Sequence, residues 1–281
     1  MMKMIMNNCL SDCRFANLLF VNIQIGNVNA TALFDTGAGM TVIKQSLLNR
    51  LRAAPEKEPF RAGNNNGVVR AFQTAIIPGI RIGDICTEKC KVLVMDDDYF
   101  ALSDEGGRIF PADMLLGWDV ISRYRWSYSA KEKSLSVSLP ERKAEYPSPE
   151  IKQCPVVFPE YAGRRFKAGV DTGHTGTVLG AGWCSRLSDI EYHETEIAGV
   201  GASQYKRIPY VRLLRLRFQN QTICLRDVDI FDELYGQQAE IEALLGYDFL
   251  EGRDWLLERD FRLLPYEQQD PEDSEKVRDR E

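Results

Sequence analysis

Two stretches of this chain repeat one another: LFDTGAGMTVI at 33–43 and GVDTGHTGTVL at 169–179. Each brings an apolar approach to Asp-Thr-Gly, then three variable residues, then Thr-Val and an aliphatic residue. A second pair lies downstream, MLLGWDVI at 114–121 and ALLGYDFL at 243–250. Asp35 precedes Gly117 by 82 residues, and Asp171 precedes Gly246 by 75. Four matched segments in one order, at nearly one separation, read as two copies of a single unit. The expectation is therefore two like halves, at about 1–145 and 146–265. The joint PERKAEYPSPEIKQCP (140–155) holds four prolines, which interrupt helix and strand alike.

Within each half the pattern is that of β-structure. FVNIQIG (20–26) alternates as a half-buried strand, and TALFD leads into the first Asp-Thr-Gly. TAIIPGIRIG, KCKVLVM and KSLSVSL follow, then RFKAGVD, VRLLRLRF, ICLRDVDIF and WLLERDFRLL in the second half. Helices are expected only at KQSLLNRL (44–51) and after each Leu-Leu-Gly. MDDDYFALSDEGGRIFPAD, between Val94 and Met114, reads as a long loop or insertion, and it accounts for the wider spacing in the first half.

The net charge of −6 is concentrated at the end. Residues 266–281 hold seven acids and three bases with few apolar residues, and read as a disordered acidic tail. The rest is near neutral, which argues against a broad nucleic-acid footprint. No apolar run has the length of a membrane span or a signal-peptide core, so a cytoplasmic location is expected. Seven unevenly spaced cysteines fit reduced thiols. Cys9-x3-Cys13 and Cys86-x3-Cys90 offer four thiolates for zinc, but without a flanking His or Gly knuckle they read as ordinary cysteines, and no metal is expected.

A single Asp-Thr-Gly is no more than a turn at a strand end. Two in a shared frame suit amide hydrolysis. Like charges in contact cannot both ionise, so one carboxyl of a close pair stays protonated as acid while the other is a base. Such a pair titrates as a unit, and acid and base are not assigned to Asp35 or Asp171 separately. Gly37 and Gly173 allow a tight turn that brings N–H groups to the carboxylates. The hydroxyls of Thr36 and Thr172 would brace one half against the other.

On these motifs the chain resembles the retropepsin-like aspartic proteases, in the two-lobed, single-chain arrangement of pepsin-like enzymes. LFDTGAGMTVI resembles the retroviral-type Asp-Thr-Gly-Ala motif through Ala38, and LLGWDVI and LLGYDFL the hydrophobic-hydrophobic-Gly motif packed behind it. The resemblance covers about residues 20–265. It implies an all-β acid-protease fold of two pseudo-symmetric barrel lobes with few short helices. It also implies an aspartic endopeptidase with a peptide or protein substrate between the lobes, and no cofactor. One chain supplies both aspartates, so a monomer suffices. KSLSVSL, QCPVVF and DFRLLPY are the segments expected in a sheet shared by the lobes.

Family members fold hairpin flaps over the substrate. GNNNGVVRAF (63–72), with Asn66, Gly67 and Val68, and AGVGASQYK (198–206), with Gly199, Val200 and Gly201, stand at the implied positions. The second motif departs from the pattern at His174, which either turns to the backbone or biases the aspartate pair. A catalytically weak peptide-binding or scaffolding module on the same fold is the alternative, favoured by His174 and the plain flaps. His193 reads as surface, Asp119 and Asp248 as structural residues that could cap the short helices, Asp96 to Asp98 as a solvated loop, and the four tryptophans as core.

Overall fold

In FVNIQI the outward Asn22 and half-covered Gln24 separate the buried Val21, Ile23 and Ile25, so one face of the first strand is core and the other is open. The same alternation recurs along most of the chain, and the computed structural model is mostly strand. It describes residues 8–63, 69–104, 106–140, 154–199, 202–234, 241–258 and 260–265. The N-terminal part contains β1 (Phe20–Ile25), β2 (Val28–Phe34), β3 (Val42–Lys44), α1 (Gln45–Arg50), β4 (Phe60–Gly63), β5 (Val69–Ile77), β6 (Ile80–Ile82), β7 (Ile85–Cys86), β8 (Cys90–Met95), β9 (Met114–Leu116), α2 (Trp118–Ile121), β10 (Arg125–Ser129) and β11 (Ser134–Ser138). The C-terminal part contains β12 (Val156–Val157), β13 (Glu160–Tyr161), β14 (Arg164–Arg165), β15 (Ala168–Val170), β16 (Val178–Gly180), β17 (Ile190–Gly199), β18 (Ala202–Phe218), β19 (Gln221–Phe231), β20 (Ala243–Leu245), α3 (Tyr247–Leu250), β21 (Trp255–Leu257) and β22 (Phe261–Leu263).

Each part builds its own curled sheet, ordered β4-β5-β8-β3-β9-β2-β1-β6-β7 in the first. The second runs β12-β15-β20-β16-β19-β18-β13-β14, with β17 paired to β18. One pairing scheme occurs in both. β9 lies between β2 (parallel) and β3 (antiparallel), and β3 runs parallel to β8. β20 lies likewise between β15 and β16, and β16 runs parallel to β19.

A third sheet, β11-β10-β21-β22, joins the lobes. Its central pairing sets Trp126 against Leu257 and Tyr128 against Trp255. KSLSVSL and DFRLLPY supply β11 and β22 as expected, but QCPVVF does not enter this sheet. Its strand β12 pairs with β15 inside the C-terminal lobe instead. The inner places belong to β10 and β21, whose tryptophans have the most apolar surface to bury. Phe34 meets Trp126 edge-on at 4.8 Å and Trp255 at 6.0 Å, and Tyr128 stacks on Trp255 at 5.4 Å. The two lobes thus share one continuous core. All four tryptophans are buried.

The chain between Met95 and Met114 is a structured wall of the N-terminal lobe rather than an appended loop. Phe100 and Phe110 are buried with Phe15 and Phe20, and Phe110 meets those two edge-on at 5.1 and 5.7 Å. Asp104 binds the segment together, accepting from the backbone N–H groups of Gly106, Arg108 and Ala16. Asp97 accepts from Ser46 N–H at the start of α1. The acidic tail and the joint at 141–153 lie outside the described residues.

Because Trp255 touches the aromatic groups of both lobes, Trp255→Ala should lower the unfolding free energy by about 3–5 kcal/mol in urea denaturation. A loss confined to a minor local transition would contradict the shared core.

Candidate active site

β2 and β15 each end on a core aliphatic or aromatic residue, Phe34 or Val170, and the next residue of each is an aspartate. Asp35 N–H donates to Leu116 O at 3.1 Å and Asp171 N–H to Leu245 O at 2.8 Å, which anchors each aspartate to the Leu-Leu-Gly strand beside it. The loops then turn back on their own carboxylates. Gly37 and Ala38 N–H both donate to Asp35 Oδ1 at 2.9 Å, and Gly173 N–H donates to Asp171 Oδ1 at 2.8 Å.

The two loops meet. A Cβ on Gly37 would collide with the Asp171 carboxyl, and one on Gly173 with that of Asp35. Glycine is needed here for close approach, since neither residue has a positive φ. Behind each loop a second glycine admits the backbone: a Cβ on Gly117 would lie 2.6 Å from the Met40 carbonyl carbon, and Gly246 is similarly pressed on Gly176. Trp118 N–H to Ala38 O and Tyr247 N–H to His174 O, both 2.7 Å, close the contact.

The threonines lock the halves reciprocally. Thr36 N–H donates to Thr172 Oγ1 (3.1 Å), and Thr172 N–H to Thr36 Oγ1 (3.0 Å). Each hydroxyl then donates across the junction, Thr36 to Val170 O at 2.7 Å and Thr172 to Phe34 O at 2.6 Å. All four groups are buried, so each bond lost leaves a polar atom without water.

The Asp35 and Asp171 carboxyls come together at the junction, each against the glycine of the opposite loop. Burial pushes both above the ordinary carboxylate range, and for Asp35 the charge of Asp171 adds to this. The backbone N–H groups pull the other way but do not cancel the effect. The pair therefore retains a proton to higher pH than free carboxyls do, and that proton belongs to the pair.

His174 serves the site through its backbone, whose N–H favours an ionised Asp171. Its ring is hydrogen-bonded to Gly176 O at 2.5 Å, and its charge acts on Asp248 and Asp229. Asp119 and Asp248 are structural: the N-caps of α2 and α3 are Gly117 and Gly246, and Asp248 Oδ1 accepts from Phe249 N–H in the first turn of α3. Asp119 Oδ1 accepts from both Thr41 N–H and Oγ1, and Asp248 Oδ1 accepts from Thr177 Oγ1. They brace the ends of the two aspartate loops.

Of the flap candidates, Asn66, Gly67, Val68, Val200 and Gly201 lie outside the described residues. Gly199 ends β17 and pairs with Ala202. The hairpins that flank these positions, β4–β5 and β17–β18, are present on both lobes. Cys9 Sγ–H donates to Leu135 O, and burial pushes the thiol up to about 12. Cys90 Sγ–H donates to Glu88 O. None of the seven cysteines is in a disulfide, and among the described residues no three His, Cys, Asp or Glu side chains converge on a metal position. Among the described residues no helix is long and apolar enough to cross a membrane.

His193 is not a plain surface residue. Its Nε2 is 2.8 Å from Asp229 Oδ1, and its ring stacks on Tyr210 at 4.4 Å. Burial raises the Asp229 carboxyl, while the imidazoles of His193 and His174 lower it. Sequence reading missed Asp229 because ICLRDVDIF reads as one more strand. The available signal was its alternation with Val228 and Ile230, both core residues, which turns the acid to the opposite face.

Residues 21–123, β1 through α2, match the family described as gag-polyprotein putative aspartyl protease. The N-terminal lobe is a retropepsin-like domain. The match includes Asp35, its cradle and the Leu-Leu-Gly strand behind it, and the curled, mostly β sheets agree with the aspartic-protease fold. No curated protein matches the chain.

Two outcomes follow for this pair of carboxyl loops. Thr172→Val deprives Thr36 N–H and Phe34 O of buried partners and should cost about 1–3 kcal/mol for each in urea denaturation. The carboxyl pair, its pKa raised by folding, stabilises the fold while protonated, and that stability is lost as pH rises through the folded value. Unfolding free energy should accordingly decline as pH rises from the ordinary carboxylate value of 3.8 to about 8, with a shallower decline in Asp35→Asn/Asp171→Asn. Equal slopes in denaturation series across pH would contradict the raised pair.

Proposed function

We propose that the chain is an aspartic endopeptidase that hydrolyses peptide bonds with a water activated by the Asp35/Asp171 pair. The observation that carries this reading is the close approach of two carboxyls, each set against the glycine of the opposite loop and each accepting from backbone N–H of its own loop. Such a pair holds one proton and one charge between its members.

The water lies between the carboxyls and the scissile carbonyl. The ionised carboxyl takes one proton as the water oxygen bonds to the carbonyl carbon, and the protonated carboxyl gives its proton to the carbonyl oxygen. The resulting gem-diol collapses as one hydroxyl proton returns to the pair and the amide nitrogen receives another. The C–N bond then breaks, leaving an acid and an amine with the pair back in its singly protonated state. No step requires a cofactor.

The substrate is an extended peptide or protein segment between the lobes, under the β4–β5 and β17–β18 hairpins. The halves 1–145 and 146–265 act as the two sides of one site. One chain provides both aspartates, so a second copy is not required. A cytoplasmic location accords with the free thiols.

The test is digestion of a peptide library read by mass spectrometry. Wild type should cut, and Asp35→Asn and Asp171→Asn should each cut at least about 100-fold more slowly. If either variant cuts like wild type, the shared mechanism is wrong. If all three bind peptides and none cuts, the chain is a peptide-binding module.

A further inference from the structure

Residues two apart on a strand share a face, so Leu33 lies on the face that carries Asp35, and Gly169 on the one that carries Asp171. Register extends each face outward. In the N-terminal lobe Leu33 pairs with Leu115, Leu115 with Val42, and Val42 with Leu93. In the C-terminal lobe the corresponding series is Gly169, Leu244, Val178 and Asp229. One strand further, Leu93 faces Thr74 and Asp229 faces Tyr210. Two residues towards the hairpin tips, Phe60 pairs with Phe72, and His193 with Ile208.

The equivalent positions differ in chemistry. On the N-terminal side Leu33, Val42, Leu93 and Leu115 are all buried beneath Phe15, Phe20, Phe100 and Phe110. The lobe fills its own face. On the C-terminal side Leu244 is only half-buried, an acid stands in place of Leu93, and a histidine in place of Phe60. The histidine is held firmly, since it stacks on Tyr210, whose hydroxyl donates to Glu191, itself paired with Arg212.

Asp229 spends Oδ1 on His193, and among the described residues Oδ2 has no hydrogen-bond partner. Of the other charges nearby, Glu191 is balanced by Arg212 and Asp232 by Lys206, while Asp227 adds a negative charge of its own. The open Oδ2 of Asp229 leaves this face an acceptor for a cationic group.

We propose that the C-terminal face is a subsite for a lysine or arginine side chain of an extended peptide, with the cationic head on Asp229 Oδ2. Its aliphatic stem lies along Leu244, as long basic side chains cover apolar surface. The N-terminal face, already filled, has no matching demand, so recognition is one-sided. The inference rests on the endopeptidase reading for placing a peptide between the lobes.

The experiment uses the full chain carrying Asp35→Asn, with binding read by fluorescence anisotropy. Extended peptides carry lysine or norleucine at each position in turn. At one position only, lysine should bind at least about tenfold more tightly than norleucine, a difference of about 1.4 kcal/mol. Adding Asp229→Asn should remove the preference while norleucine peptides bind as before. Asp229→Leu, which copies the N-terminal lobe, should do the same, and Asp232→Asn should leave the preference intact. A preference that survives both Asp229 changes, or none at any position, overturns the subsite, as does failure of all peptides to bind. If lysine is preferred but wild type cuts nothing, the hydrolytic reading falls and the subsite stands. If wild type cuts with no basic preference, the reverse holds.

Discussion

The reciprocal hydrogen bonds of Thr36 and Thr172 are the constraint on which the site depends. Each hydroxyl accepts from the opposite loop's N–H and donates to the opposite strand's carbonyl, so neither loop is satisfied alone. With water excluded, the register between the lobes is fixed to that one arrangement. Two carboxyls that would repel one another in solution are thereby held in contact. The cost of that contact appears as the raised affinity of the pair for a proton, and the shared aromatic core offsets it. Threonine lattice, glycine clearance and Trp126–Trp255 packing are three parts of one requirement: bringing two strand ends within touching distance.

Around this symmetric centre the lobes differ. The N-terminal lobe matches the gag-polyprotein family and has folded an additional wall, residues 96–113, onto its own outward face. The C-terminal lobe retains the same pairing scheme but places Asp229, His193 and His174 where the first has Leu93, Phe60 and Ala38. Strand register, which depends on backbone and core, is the same in both lobes. The side chains on the far face, free of that demand, have diverged.

How much of this was legible in the sequence depends on where the information sits. The aspartate loops, the Leu-Leu-Gly strands and the three short helices follow from local pattern, because each is a contiguous string with a repeat to check it against. QCPVVF was misplaced because two apolar strands of similar composition compete for one sheet edge, and composition does not say which closes it. The wall at 96–113 looked like an insertion because its buried residues, Phe100 and Phe110, are isolated among acids and glycines, and their partners Phe15 and Phe20 are distant in sequence. Asp119 and Asp248 looked like helix caps because helix starts are local, whereas Thr41 and Thr177, their side-chain partners, stand in the preceding motifs. Asp229 was passed over for the same reason: its meaning comes from His193, two strands earlier in the chain though adjacent in space.

The sheet that joins the lobes also sets the order in which the molecule can become itself. β10 and β11 emerge early in synthesis, but the strands that cover them, β21 and β22, lie near the far end of the chain. Until Trp255 has arrived, Phe34 lacks one of its aromatic partners, and until Asp171 has, Asp35 has no opposing carboxyl to share a proton with. A nascent first half is therefore a chain with an open aromatic surface and half a site. The two carboxyl loops are therefore held together only once β21 and β22 have closed the joining sheet.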